Sequence, residues 1–184
     1  MPRKVTLDEI LDLQQYEETR DDYRKRLFAV KRLRRIHVGP YLTFLFENAD
    51  TVRYQVQEMV RSERMVRDED IEFEIRTYNE LIGEAGQLGC SLLIEIDDRE
   101  LRAELLTAWL SLPEHVYLAL EDGTRVRAVV DERQRDAERV SAVQFLIFDP
   151  GGQAPGVVGC DIDGYVHETT LSEEQRAALT ADFA

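Results

Sequence analysis

A glutamate inside an apolar helical stripe is the residue whose position most suggests chemistry. With Val52 at 0° and about 100° per residue, Val56, Val60 and Glu63 fall at about 40°, 80° and 20°. A charged glutamate is almost never fully buried without a partner. Either the helix ends before Glu63, or Glu63 pairs with a cation. An arginine of the segment 32–35 could hold the carboxylate with two hydrogen bonds.

Two interpretations of this pattern stay open. In the first, a buried carboxylate of shifted pKa serves a ligand, metal or proton site, as in an enzyme or small-ligand binder. Glu58 and Glu63 would be its acid–base or ligand groups, and arginines would hold an anion. The candidate ligand-binding residues are Glu47, Glu58, Arg61, Glu63, Arg34, Arg35, Tyr78 and Asn79. In the second, the pattern is a core ion pair or a frayed helix end, and Asn79 binds backbone.

The sequence identifies no catalytic residue, cofactor or metal site. It contains no Gly-x-Ser-x-Gly, His-Glu-x-x-His, Walker or Gly-x-Gly-x-x-Gly motif. His37, His115 and His167 are isolated, so neither zinc spacing nor the paired Glu-x-x-His motifs of di-iron bundles are present. Cys90 and Cys160 lie far apart without a Cys-x-x-Cys motif. Together with the lack of a signal peptide or an apolar span, this predicts a reduced, cytoplasmic protein.

The charge is large and unevenly distributed. The 184 residues carry a net charge of −14, which argues against nucleic acid and anionic membranes as partners. Residues 1–46 hold 10 basic and 7 acidic residues, whereas the remainder is strongly acidic. Seven of the twelve residues from Arg24 to Arg35 are Lys or Arg. This basic stretch is either a solvated helix face or a dock for an anionic ligand or an acidic protein surface.

Helices are expected mainly in the first half. The capping box Thr6–Glu9 predicts one start and Thr19–Asp22 a second. Asp50 or Thr51 should cap a helix running to about Met65. Further starts are predicted at Asp68, Asp98 and Ser172.

Strands dominate the second half. Residues 41–46 and 91–96 have strand composition, and Asp122–Gly123 predicts a type I′ hairpin between residues 116–120 and 126–130. Residues 142–148 are apolar on both faces, which is typical of a central strand. Asp163–Gly164 predicts another hairpin. The expected fold is one α+β domain, residues 1–184, with a mostly antiparallel sheet. In an alternative form of this prediction, residues 1–33 are a helical arm of that domain.

A set of spaced residues carries a resemblance to a known family. These residues are Gly39-Pro40-x-x-Thr43-x-x-Phe46-Glu47-Asn48, Thr51, Gln55-x-Gln57-Glu58-Met59-x-Arg61-x-Glu63 and Tyr78-Asn79-Glu80-Leu81. In them the chain resembles a bacterial family known as domain of unknown function 3501, over nearly its whole length. The resemblance implies no activity. Because relatives are often encoded beside rubrerythrin-like and iron–sulfur oxidoreductase proteins, it implies a redox or stress-related setting.

Two functions follow as expectations. The first is an accessory or interaction protein, whose basic N-terminal stretch meets the acidic second half of another copy, as in a homodimer, or another protein partner. The second is an enzyme or a binder of a small anion or metal, with its site around the helix of residues 51–66.

Overall fold

The computed structural model describes residues 2–130 and 138–183. Three long helices occupy the first half and shorter ones the second. They are α1 (Leu13–Arg32), α2 (Ala49–Glu63), α3 (Asp68–Asn79), α4 (Arg99–Ala108), α5 (Leu112–His115) and α6 (Glu173–Ala181). The strands are β1 (Arg35–Val38), β2 (Leu42–Glu47), β3 (Leu88–Ile94), β4 (Val116–Ala119), β5 (Arg125–Arg127), β6 (Val129–Val130), β7 (Val143–Phe148), β8 (Val157–Ile162) and β9 (Tyr165–Thr170).

The strands form two antiparallel sheets. Sheet A has the order β1-β2-β3-β7-β6 and sheet B the order β5-β4-β8-β9. The predicted α+β class, with helices concentrated in the N-terminal half and hairpins in the C-terminal half, is therefore confirmed. On one side the chain passes from sheet B to sheet A through Ala128, between β5 and β6. On the other side the Tyr165 hydroxyl donates to the Val38 carbonyl (2.6 Å) and joins β9 to β1.

The main core lies between the two sheets. Successive side chains of a strand point to opposite faces, so alternate residues of each strand are buried there. Phe44, Leu92, Leu118 and Val158 are examples, each with no exposed surface. The opposite face of sheet A is more open: Phe145 of β7 is 40% exposed. β7 pairs with β3 on one side and with β6 on the other, so the prediction that residues 142–148 form a central strand is confirmed, although one face of the strand is partly exposed.

A second apolar cluster joins the helices to the N-terminal segment. Val52, Val56 and Val60 of α2 pack there with Ile75 of α3 and Val5. Two carboxamides fix the segment on either side of the short 3-10 helix Leu7–Glu9. Asn79 bonds both the N–H and the C=O of Val5, and Gln57 bonds both groups of Leu11, all at 2.9 Å.

Of two predicted helix starts near the N-terminus, one gives only a short 3-10 helix and the other is wrong. The segment Thr6–Glu9 forms only a 3-10 turn, because the Thr6 hydroxyl donates to the Glu9 carboxylate instead of capping backbone. The start predicted at Thr19 lies inside α1, which begins earlier because Asp12 accepts the Gln15 N–H. The predicted hairpin at Asp122–Gly123 exists, but only Gly123 has a positive φ, whereas a type I′ turn needs two such residues.

Other starts agree with the sequence. Asp98 and Ser172 cap α4 and α6 as expected. Asn48 caps α2 in place of Asp50 or Thr51, and Thr51 completes its capping box by accepting the Asn48 N–H.

Gly89 provides a test of how α3 joins sheet A. A Cβ at this position would lie 1.6 Å from the Leu81 carbonyl oxygen, which is backbone and cannot rotate away. We expect Gly89→Ala to lower the free energy of unfolding by about 3 kcal/mol, the upper end for overpacking, or to prevent folding. Chemical denaturation followed by the fluorescence of Trp109, which is buried, measures the loss. Gly156→Ala is the matched control, since its nearest atom lies at 3.8 Å. Equal stabilities of the two variants would contradict the close contact.

Candidate functional site

Glu58 is held by α1 and is not available to a ligand. Arg20 donates to both of its oxygens, at 2.8 and 2.9 Å, and the Tyr16 hydroxyl donates at 2.6 Å. The Arg20 guanidinium lowers the pKa of Glu58, whereas burial and the hydrogen bond to Glu58 raise the pKa of Tyr16. This arrangement is a firm ion pair that fastens α1 to α2.

Glu63 is exposed, so the prediction that it is forced inward among aliphatic side chains is wrong. It is the last residue of α2, and Arg64 follows in the left-handed conformation (φ 51°). The helix turns away at that point, and the Met65 N–H returns to the Val60 carbonyl. The helical wheel places Glu63 on the apolar stripe of α2, but the buried part of that stripe ends at Val60.

The candidate arginines do not gather at α2. Arg34 is buried and donates to both oxygens of Asp182, at 2.7 and 2.8 Å, which fixes the C-terminal helix to the start of β1. Arg35 is exposed. Arg61 bonds Glu17 on α1 (2.7 Å). The predicted pairing of Glu63 with an arginine of residues 32–35 is therefore wrong.

Glu47, the last residue of β2, is a buried carboxylate. It is 9% exposed and accepts from the hydroxyls of Ser91 (2.6 Å) and Thr51. The cation whose charge acts across this region is Lys31, at the end of α1. Burial lowers the pKa of Lys31, and the charge of Glu47 opposes that effect.

Tyr78 and Asn79 have different roles. Asn79 binds the Val5 backbone, as the second interpretation of the sequence predicted. Tyr78 lines a cleft of about 470 Å³ between the end of α3 and strands β6 and β7, together with Leu81, Val129 and Ile147. The eight candidate residues thus lie at several separate places, and no single site contains them.

One surface of α1 is largely open to solvent, and we name it the basic face: Arg24, Lys25, Phe28, Lys31 and Arg32. These residues recur at helical spacing, and Phe28 is 74% exposed at their centre. Lys25 pairs with Asp22 (3.0 Å). In the described part of the chain, Arg24, Lys31 and Arg32 have no carboxylate partner within ion-pair distance.

The basic face borders a cleft of about 460 Å³ between α1 and Tyr54 of α2. Leu27, Phe28 and Tyr54 supply apolar surface, while Lys31 places its ammonium 5.1 Å from the centre of the Tyr54 ring. Cations beside aromatic surface can bind a carboxylate or another anion that carries an apolar group.

The sequence did signal part of this surface. The run of cations from Arg24 to Arg35 is visible in the sequence. The exposure of Phe28 is not, because a single aromatic residue in a helix normally indicates burial. Its spacing of four from both Arg24 and Arg32 is the pattern that places it on the charged side of α1.

Other kinds of site receive no support from the described residues. They contain no group of three or more His, Cys, Asp or Glu side chains arranged to hold a metal ion. No helix among them is both long and apolar enough to span a membrane. Cys90 and Cys160 are buried, and burial raises the pKa of both thiols.

Replacing Glu58 and Glu63 in turn separates an ion-paired carboxylate from an exposed one. We expect Glu58→Gln to lower the free energy of unfolding at neutral pH by about 1–2 kcal/mol, between the values for exposed and buried pairs. Glu63→Gln should change it by less than about 0.5 kcal/mol. Urea denaturation at several pH values measures both.

The pH dependence has a defined sign. The pKa of Glu58 in the folded protein lies below its ordinary value of 4.5, so its stabilising effect is complete above that pH. The stabilising effect is lost as the pH falls through the lower pKa that Glu58 has in the folded protein. The free energies of unfolding of Glu58→Gln and Glu63→Gln should therefore converge at that pH. A larger loss for Glu63→Gln than for Glu58→Gln would contradict the assignment.

Comparisons with known proteins find a similar solved structure and a matching family. A crystal structure of a protein from Burkholderia pseudomallei K96243, described as a novel protein of unknown function, is similar to this chain with a TM-score of 0.89 and 29% sequence identity. The similarity covers 99% of this chain and 100% of that one. No curated protein matches the sequence. The model of one family matches residues 4–183, and the chain therefore belongs to the family described as protein of unknown function (DUF3501).

Proposed function

We propose that this protein is an accessory protein that binds an acidic surface of a partner protein through the basic face of α1. The observation that carries the proposal is Phe28, exposed among four cations of which three have no carboxylate within ion-pair distance in the described part of the chain. Exposed aromatic residues surrounded by charged groups resemble the anchors that dominate binding energy at protein interfaces. An acidic partner would supply the missing carboxylates.

The chemistry of the face also narrows the class of partner. A net charge of −14 repels an extended polyanion such as nucleic acid, because phosphate binding needs a widely positive surface. A compact patch acts differently, since charges beyond about 8 Å are screened at physiological ionic strength. The fitting partner is therefore a local acidic patch with an apolar residue at its centre. Its charges would also steer association and fix orientation.

We place this interaction in a redox or stress-related setting, as the resemblance of the sequence implies. The two thiols of the chain are buried and their raised pKa values disfavour the reactive thiolate. In this proposal the thiols of the present chain take no direct part in redox chemistry, and the chain acts by binding.

Photo-crosslinking at position 28 tests the proposal. A benzophenone amino acid replaces Phe28 in the native host, and a second strain carries it at Val166 of β9, which is also well exposed (68%). We expect position 28 to yield a defined crosslinked protein that mass spectrometry identifies, and position 166 not to yield it. The purified partner should then bind the wild type and bind Arg24→Gln/Arg32→Gln about tenfold or more weakly, because two interfacial charges are lost.

Two results would overturn the proposal. One is the same set of products, or none, from positions 28 and 166. The other is equal affinity of the purified partner for the wild type and for the neutralised variant. Both arginines are exposed, so thermal unfolding of the variant should match the wild type and confirm that folding is intact.

A second candidate function is binding of a small amphiphilic anion in the cleft beside Tyr54. Lys31 favours it, because this half-buried ammonium has no carboxylate within ion-pair distance among the described residues, and an anion in the cleft would provide one. The cleft volume of about 460 Å³ lies in the range of small-molecule sites. In this alternative Glu58 and Arg61 keep their structural pairs and do not contact the ligand.

Fluorescence titration with anilinonaphthalene sulfonate, an aromatic anion, tests this candidate. We expect saturable binding by the folded protein and a roughly tenfold weaker affinity for Lys31→Met, which keeps the length of the side chain and removes its charge. Lys25→Gln is the control, because Lys25 is exposed and already pairs with Asp22. Equal loss in both variants, or no saturable binding, would exclude a specific anion site at Lys31.

A further inference from the structure

A second exposed face has the opposite chemistry to the basic face. We name it the acidic face: Asp68, Glu69, Glu72 and Phe73 of α3. Phe73 is 60% exposed, and its neighbours are carboxylates on the first two turns of the helix. Glu72 lies 3.8 Å from Arg76, whereas Asp68 and Glu69 have no cation within ion-pair distance in the described part of the chain.

The two faces belong to one layer of helices. The central helix α2 packs against both α1 and α3. Phe28 and Phe73 nevertheless remain mostly exposed, so the basic and acidic faces do not bury each other within one copy. Each face carries an exposed aromatic residue beside charges mostly of one sign, with Asp22 next to the basic face and Arg76 next to the acidic face. The basic face spans about 12 Å of helix and the acidic face about 8 Å, at 1.5 Å per residue.

We infer that the acidic surface bound by the basic face is α3 of a second copy of this chain. The inference rests on the proposed function and names its partner. Carboxylates of Asp68, Glu69 and Glu72 would meet Arg24 and Arg32, and Phe28 and Phe73 would leave water together. In a two-fold dimer each copy supplies both faces, so the same contact occurs twice.

Local charge matters more than net charge at such an interface. Two copies with a net charge of −14 each repel one another at long range, but the Debye length is only about 8 Å at 0.15 M salt. Ion pairs at contact distance act inside that length. The acidic partner surface thus lies on a helix of the first half, and not on the acidic second half that the sequence suggested.

Charge reversal followed by mixing tests the inference. Sedimentation velocity at about 0.15 M salt follows the full-length wild type, Arg24→Glu/Arg32→Glu and Glu69→Lys/Glu72→Lys. We expect the wild type to form dimers and each variant alone to associate about tenfold or more weakly, because its reversed face repels the unchanged one. An equimolar mixture of the two variants should form dimers again, since every facing pair of surfaces is then of opposite charge.

The design contains its own controls. The two variants shift the net charge in opposite directions, so a general charge effect cannot weaken both. Arg99→Glu, on exposed α4, should leave association unchanged. A wild type that sediments as a monomer at the highest concentration that stays in solution would overturn the inference. So would variants that associate as the wild type does, or a mixture that stays monomeric.

The outcome is distinguishable from failure of the proposed function. Crosslinks from position 28 to a different acidic protein, together with a monomeric wild type, would overturn the second-copy inference and leave the proposed function standing. Crosslinks from position 28 to α3 of the same chain would support both. If neither a specific crosslink nor self-association is observed, both the proposed function and the second-copy inference are overturned.

Discussion

The ion pair between Arg20 and Glu58 is the interaction on which the display of the basic face depends. Only Tyr16 and Leu27 of the twenty residues of α1 are buried, so apolar packing holds this helix weakly. Two hydrogen bonds from Arg20, one from Tyr16 and the pair of Arg61 with Glu17 fasten α1 to α2 instead. Because these contacts use one side of α1, its other side carries cations and Phe28 outward.

In this fold, polar side chains join the parts of the molecule that the apolar cores leave separate. The core between the sheets and the cluster of α2 and α3 are separate. Glu47 with Ser91 and Thr51, and Arg34 with Asp182, connect helices to sheet A. Most of the charged residues that the sequence marks as suited to chemistry therefore serve attachment. The cations of α1 that have no carboxylate within ion-pair distance among the described residues are the ones available for binding.

Local signals in the sequence predicted much of the fold. Asp98 and Ser172 cap their helices through contacts three residues away, and Asp163–Gly164 closes a hairpin, so a short window contains the whole interaction. Long-range partners could not be predicted in the same way. Nothing near Glu58 in the sequence indicates that Arg20 binds it. The helical wheel gives the direction of Glu63, the last residue of α2, but not whether other elements reach far enough to bury it. The candidate site depended on such tertiary contacts and is not found as one site. The basic stretch is visible in the sequence because charge is a local property, and its use as a dock stays a prediction.

Hydroxyl-radical footprinting of Phe28 tests the central claim, that a protein covers the basic face, most directly. The rate of oxidation of Phe28 is measured in gently lysed native host and in dilute purified protein, with exposed Val166 as the internal reference. The account predicts that Phe28 is oxidised several-fold more slowly in the lysate while Val166 reacts at the same rate in both. Equal oxidation of Phe28 in the two samples would show that the face is bare in its native surroundings and would contradict the account.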